Sequence, residues 1–294
     1  MTPAGHTGAA RAMVVGCLAV VEFTSGVLQG YYVPVLSDIA RHLGIHDADV
    51  NWFEGTQLVL SPLAMPAFAK LGDVYGHRRM LWWSAVLTAA ASFLLLFAHS
   101  YWSFLTAWSL QGFYVVWLPL NIAIVWSLNK ERPDAAVRTA KTAGLLVAAL
   151  EAGAVCGAIS SGAIVDSLPL WIVLLIPAML TLIAVAVIAF GIEDQQRHAQ
   201  GRFDLVGLAL LSAALVAVAG GLSMFRANGS DFWSAGSLVA LGAVLLVSLA
   251  GYELRHPDPL IDVKLLRSPA LAPVFLRGAT GREHPGRSGS AVDI

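Results

Sequence analysis

"AKLGDVYGHRRML", residues 69–81, sets Asp73, three basic residues, one His and two Gly between two long apolar runs. The chain around it has 294 residues, of which 57% are hydrophobic and 13% charged. A soluble domain carries roughly 25% charged residues. With a mean hydropathy of +0.71, this is the composition of a chain solvated by lipid, and the quoted stretch reads as a short polar turn between two spans. A net charge of -1 gives no reason to expect a nucleic-acid partner. Cys17 and Cys156 both fall inside apolar runs, where each reads as a small hydrophobe and implies no disulfide framework.

Counting outward from the turn, eight runs are long and apolar enough to cross a bilayer: 12–35, 51–69, 80–98, 101–128, 142–165, 168–192, 205–225 and 232–252. None alternates with period two, so each is expected to be a helix rather than a barrel strand. The first, at 24 residues, is longer than a signal-peptide core and reads as a span. With the N-terminus in the cytoplasm, thirteen Lys and Arg lie on the inner side and two, Arg41 and Arg226, on the outer. That asymmetry predicts a cytoplasmic N-terminus by the positive-inside rule. Trp and Tyr near the run ends suit the two interfacial belts and need no ligand to explain them.

The turn's Lys70, Arg78 and Arg79 fit the orientation rule alone, but Asp73 between two Gly does not follow from it. Here the chain resembles the major facilitator superfamily, whose loop between helices 2 and 3 reads G-x-L-x-D-x-x-G-R-[KR]-x. Leu71, Asp73, Gly76 and Arg78 match; Ala69 stands for the first Gly and His77 for the Arg. The resemblance implies that Lys70, Asp73, Gly76, His77, Arg78 and Arg79 form a cytoplasmic gating loop, in which Asp73 latches onto a neighbouring helix. A His there carries less positive charge at neutral pH than an Arg would.

A second match lies in "ALEAGAVCGAISSGAIVD", residues 149–166, which resembles the superfamily's antiporter motif G-x-x-x-G-P-x-x-G-G. Gly153, Gly157 and Gly162 are in place, with Ala158 for the Pro and Ser161 for the next Gly. Small residues every four positions also suit plain close packing of helices. A third match, Glu253, Arg255, Pro259, Leu260, Ile261, Asp262, Leu266 and Arg267, is similar to a segment of the fourteen-span drug/proton antiporter branch. The implied fold is an all-α membrane protein, a six-helix half bundle of the superfamily's type over 12–192 plus two additional transmembrane helices over 193–252. Residues 1–11 are expected to be a cytoplasmic N-terminus, 253–276 a cytoplasmic segment leading into an incomplete ninth helix, and 277–294 a polar, disordered tail. Two readings stand for that ending: a truncated or frameshifted chain, or a short protein that pairs with another subunit.

Charges inside a bilayer are costly, and they usually face water or a partner. Three carboxylates lie within the runs: Glu22, Glu54 and Glu151. Glu22 and Glu151 sit at similar depth near the midplane, where transporters place their sites. Helical spacing adds Ser25, Gly26, Gln29 and Gly30 to the face of Glu22, while Glu54 shares its face with Gln57 and Ser61 nearer the outside. No Lys or Arg lies in any run to neutralise these groups. For each Glu two readings remain, a carrier of protons or an interhelical hydrogen bond. Gln111, Trp117 and Asn121 are further candidates for a cavity wall, or for packing. Trp108 stands where the family's R-x-x-Q-G stretch has its Arg, and that Arg is tied to proton coupling in the family.

The sequence has no Ser/His/Asp grouping, no phosphate loop of the G-x-x-x-x-G-K-[ST] type and no HExxH or Cys/His metal spacing. No enzyme activity, cofactor, metal or ATP is therefore expected. The expected function is secondary transport in the plasma membrane: exchange of protons for a small amphipathic or cationic solute, in the direction of efflux. The alternative is a membrane scaffold or subunit that does not transport.

Overall fold

The computed structural model describes residues 8–193, 204–227 and 232–255. Among these the regular elements are helical: α1 (Gly8–Tyr31), α2 (Leu36–Leu43), α3 (Asn51–Tyr75), α4 (His77–Leu96), α5 (Tyr101–Gln111), α6 (Trp117–Asn129), α7 (Ala135–Ile164), α8 (Leu170–Gly191), α9 (Leu205–Ala227) and α10 (Phe232–Glu253). Each of the eight apolar runs has become helix. Six segments of the described residues are long and apolar enough to span a membrane: Gly8–Leu43, His77–Leu96, Tyr101–Asn129, Ala135–Ile164, Leu170–Gly191 and Trp233–Glu253. Helix α3 falls outside this set although it has 25 residues. It carries Glu54, Lys70 and Asp73, which lower its hydropathy. In α9 the apolar stretch is the shorter Val206–Leu222. The expected cytoplasmic segment beyond Arg255, its Pro259–Asp262 motif and the polar tail 277–294 lie outside the described residues, as do Arg197 and Arg202.

Helix ends follow local chemistry. A single residue, Gly76, separates α3 from α4, with φ at 99°, a region open to glycine and strained for residues with a Cβ. Gly44 ends α2 in the left-handed conformation. Ser100 caps α5 through a reciprocal pair with Ser103, each satisfying a backbone N–H of the other. Asp204 caps α9, accepting from the Gly207 N–H at 2.9 Å, and also accepts the Tyr252 hydroxyl at 3.1 Å, which ties α9 to the end of α10.

One expectation is corrected. The run 101–128 is not one continuous helix: a 3₁₀ turn, Gly112–Val116, interrupts it between α5 and α6. Pro119, in the first turn of α6, has no N–H to give the carbonyl four residues earlier, so the regular ladder cannot pass through this point. The first run, 12–35, likewise leaves the α-helix before its end: α1 stops at Tyr31 and a 3₁₀ turn, Val33–Val35, follows at Pro34.

The most extensive helix contact is α1 on α7, followed by α9 on α10 and α4 on α8; α9 also leans on α3. The core gathers Leu18, Phe53, Leu81, Phe104, Leu120 and Ile188, all essentially inaccessible. Polarity is inverted relative to a soluble domain. Phe190 is 90% exposed and Trp233 88%, while Glu22, Ser84, Thr88, Ser92 and Asn121 are fully buried. Apolar exteriors of this kind match a hydrocarbon solvent.

Candidate functional site

The α1–α7 seam comes first, because it fixes where Glu22 stands. Gly26 and Gly30 on α1 face Gly153 and Gly157 on α7 without side chains between them. A Cβ on Gly26 would lie 2.7 Å from the Leu150 carbonyl carbon, and one on Gly157 would lie 2.9 Å from the Val27 oxygen. Gly162 is different: a Cβ there would make only ordinary contact with Pro34, at 3.8 Å. Gly26 and Gly30 therefore belong to the backbone seam and not to a polar cavity face. The spacing G-V-L-Q-G, a small-x-x-x-small pattern, carried that signal in the sequence.

With the backbones this close, α1 turns Glu22 inward toward α6. Its side chain is fully buried, and Oε1 accepts from Asn121 Nδ2 at 2.6 Å. Glu22 Oε2 and Asn121 Oδ1 are buried with no hydrogen-bond partner among the described residues. A proton added to the carboxylate would turn one of its acceptors into a donor. Ser25 is buried on the same helix. Trp117, one turn before Asn121, is fully buried in the core.

A second polar cluster ties α3, α4 and α5 to Tyr32, just past the end of α1. Gln111 Nε2 donates to the Tyr32 hydroxyl at 2.7 Å and to Ser92 Oγ at 2.9 Å. Thr88 Oγ1 donates to the Gln111 carbonyl at 3.4 Å, one of the groups left over where α5 ends. Gln57 Nε2 donates to the Trp108 carbonyl at 3.0 Å, and Tyr114 donates to Gln57 Oε1 at 3.4 Å. Beside these groups lies a cavity of about 290 Å³ whose walls include Gln29, Tyr32, Glu54, Gln57, Trp108 and Tyr114. Tyr32, Thr88, Ser92 and Tyr114 were not candidates in the sequence. Their positions depend on which helices meet, and a run of apolar residues does not disclose that.

Trp108, in the place of the family's Arg, is buried in an aromatic cluster. Its ring lies 4.8 Å from Tyr32 edge to face and 5.9 Å from Phe53. Glu151 is exposed on α7 and is not among the residues that line the cavity, whereas Glu22 is buried.

In the turn 69–81, Asp73 Oδ1 lies 3.3 Å from His77 Nε2, one helical turn on. Arg78 Nη2 donates to the Ala189 carbonyl on α8 at 2.8 Å, fastening the start of α4 to the end of α8. Arg79 and Lys70 each have interactions of their own. Among the described residues no group of three or more His, Cys, Asp and Glu is placed to hold a metal ion.

Comparison with known proteins places this arrangement in a wider group. The chain is 25% identical to the "Probable actinorhodin transporter" of Streptomyces coelicolor over 305 aligned positions, covering 95% of this chain and 49% of that protein. It is 24% identical to the "Multidrug transporter protein MdtP" of Bacillus subtilis, covering 91% of this chain and 49% of that one. The chain thus spans about half the length of the curated relatives it matches. In fold it is similar to the human organic anion transporter MFSD10, with a TM-score of 0.56 at 16% identity over 83% of this chain and 63% of that one. It is also similar to the POT family transporter PepTSo, with a TM-score of 0.53 at 14% identity over 87% and 56%. The profile of the Major Facilitator Superfamily matches residues 18–276, most of the chain. With its apolar exterior, its spanning helices and that match, the chain is a multi-pass membrane protein belonging to the major facilitator superfamily.

Proposed function

We propose that the chain forms part of a secondary transporter that exchanges protons for a small amphipathic or cationic solute, exporting the solute across the plasma membrane with its N-terminus in the cytoplasm. The observation that carries this reading is the Glu22–Asn121 pair: a fully buried carboxylate on one spanning helix, bonded to an amide on another, with an orphaned oxygen on each. Coupling needs a group that binds a proton on one side and releases it on the other. A lone buried carboxylate with no basic partner among the described residues meets that need. The printed names of the two curated relatives, a probable actinorhodin transporter and a multidrug transporter, support export of organic solutes. The motif around Glu253 and Arg255 favours the fourteen-span antiporter branch, with this chain corresponding to its first part.

In this reading the Gln29, Glu54, Gln57 cavity lies on the solute path with Gln111 behind it, Asp73 and Arg78 hold the inner end closed, and Gly153 and Gly157 keep α1 and α7 together. The gradient supplies the energy, and no ATP site is required. The test is exchange in vesicles carrying an imposed pH gradient, with a fluorescent organic cation as reporter. Parental protein should move the reporter on imposition of the gradient, and Glu22→Gln should abolish the movement while reaching the membrane in equal amount. Exchange at the parental rate in Glu22→Gln would remove Glu22 from the role.

A further inference from the structure

Two histidines from separate segments meet at the end of the bundle opposite Gly76. His42 stands in the last turn of α2, before α3 begins, and His99 in the loop between α4 and α5. Their rings lie 6.4 Å apart, centre to centre, tilted by 51°. Both side chains are exposed, yet the backbones that carry them are anchored. On α2, Ile39 and Ala40 are inaccessible, and Gly44 closes the helix just beyond His42. His99 lies between the buried Ala98 and Ser100, whose capping pair with Ser103 fixes the start of α5. The positive charge next to His42 is compensated, because the Arg41 guanidinium is bonded to Asp38. Two imidazoles on fixed supports, free to turn only about their own side-chain bonds, are well prepared to share a ligand.

We propose that His42 and His99 together bind one divalent transition-metal ion. An imidazole nitrogen holds such an ion at about 2.0–2.1 Å, so two rings sharing it have centres about 5–6.5 Å apart. The observed 6.4 Å falls within that range, and rotation of the exposed side chains adjusts the approach. Neutral imidazole suits zinc, nickel and cobalt, whereas magnesium and calcium demand oxygen ligands. Among the described residues no third His, Cys, Asp or Glu joins the pair. Water therefore completes the coordination, and the ion exchanges with solution rather than being locked in a closed structural site. An ion on both rings fastens α2, which follows the first span, to the connection between α4 and α5. Neither ring lines the Gln29, Glu54, Gln57 cavity, and occupancy of the pair does not depend on the transport reading.

The experiment titrates Ni²⁺ into the full chain in phosphatidylcholine nanodiscs by calorimetry at one fixed neutral pH, with Co²⁺, Mn²⁺ and Mg²⁺ for comparison. Affinity should fall from Ni²⁺ through Co²⁺ to Mn²⁺, with no saturable heat from Mg²⁺. His42→Gln and His99→Gln should each weaken the tightest Ni²⁺ site about ten-fold or more. The double variant should lose little beyond either single one, because both rings hold the same ion. His46→Gln, exposed beyond the end of α2, should leave the affinity unchanged. All three histidines are exposed, so their substitution leaves the packing intact. A second measurement is hydrogen exchange, which Ni²⁺ should slow at residues 40–45 and 97–100 in the parental chain and not in either single variant. An unchanged affinity in either single variant, independent losses that add in the double variant, an equal loss in His46→Gln, or exchange unaffected by Ni²⁺ at both segments would each overturn the proposal.

Discussion

A Cβ placed on Gly153 of α7 would stand 3.0 Å from the carbonyl carbon of Phe23 on α1, and closer still to its oxygen. The two backbones are in direct contact at the level of Glu22. Gly153→Ala should therefore push the helices apart and destabilise the fold by about 1–3 kcal/mol. Gly162→Ala, where the added methyl finds 3.8 Å of room, should cost less than about 0.5 kcal/mol. Unfolding by titration with a denaturing detergent measures both.

The Glu22–Asn121 bond is a candidate for a double-mutant cycle. Asn121→Ala leaves the Glu22 carboxyl buried with neither oxygen partnered by this amide, a loss of about 1–3 kcal/mol. In Glu22→Gln the isosteric amide can still accept from Asn121, so stability should change little. With Glu22→Leu as the other arm of the cycle, which removes the acceptor, the pairwise coupling should come out at about 0.5–3 kcal/mol, and a value near zero would show that the 2.6 Å contact carries no energy.

Gly76 holds a backbone conformation that side chains rarely adopt. Gly76→Ala should cost about 1–3 kcal/mol and loosen the junction of α3 with α4, which hydrogen exchange at residues 72–80 would report as faster opening. Gly144, where an added Cβ meets nothing within 4 Å, is the matched control.

Asp134 precedes α7, outside the spanning helices, and the Arg138 guanidinium beside it holds its carboxyl below the usual carboxylate range, chiefly through their hydrogen bond at 2.6 Å. A depressed value in the folded state means that the pair contributes above the ordinary Asp titration range and is lost as pH falls through the lowered value. Carboxyl-carbon NMR should find the Asp134 midpoint below about 3.9, and Arg138→Gln should return it upward.

Orientation is testable at Asp166, exposed in the turn after α7. In a background lacking Cys17 and Cys156, Asp166→Cys should react with a membrane-impermeant maleimide added to intact cells. Reaction only after permeabilisation would invert the proposed topology.

Much of this architecture was legible in the sequence because lipid imposes a long, simple signal. A run of about 20 apolar residues has few structural options, so helix lies close to where each of the eight runs lay. The family could be read from residues 69–81, since Asp73 and Gly76 are costly choices that the positive-inside rule does not explain. The contacts inside the bundle were harder to see. Gly26 and Gly30 follow Glu22 within a few residues, so the small-x-x-x-small spacing that marks the seam overlapped in the sequence with the polar stripe of Ser25 and Gln29. The break at Gly112–Val116 is marked only by Pro119, a residue that helices in membranes often absorb. Tyr32 and Ser92 are brought to Gln111 by packing between helices, which has no local signature.

The paired glycines of α1 and α7 have a mechanical consequence. Two rods touching backbone to backbone have no compliant layer between them, so neither can slide or roll without carrying the other. Glu22 is thus mounted on a stiff two-helix beam, while Asn121 is mounted beyond a break in its own span. The bond between them therefore joins two differently supported elements, the paired helices and the short α6 segment that follows the 112–116 turn.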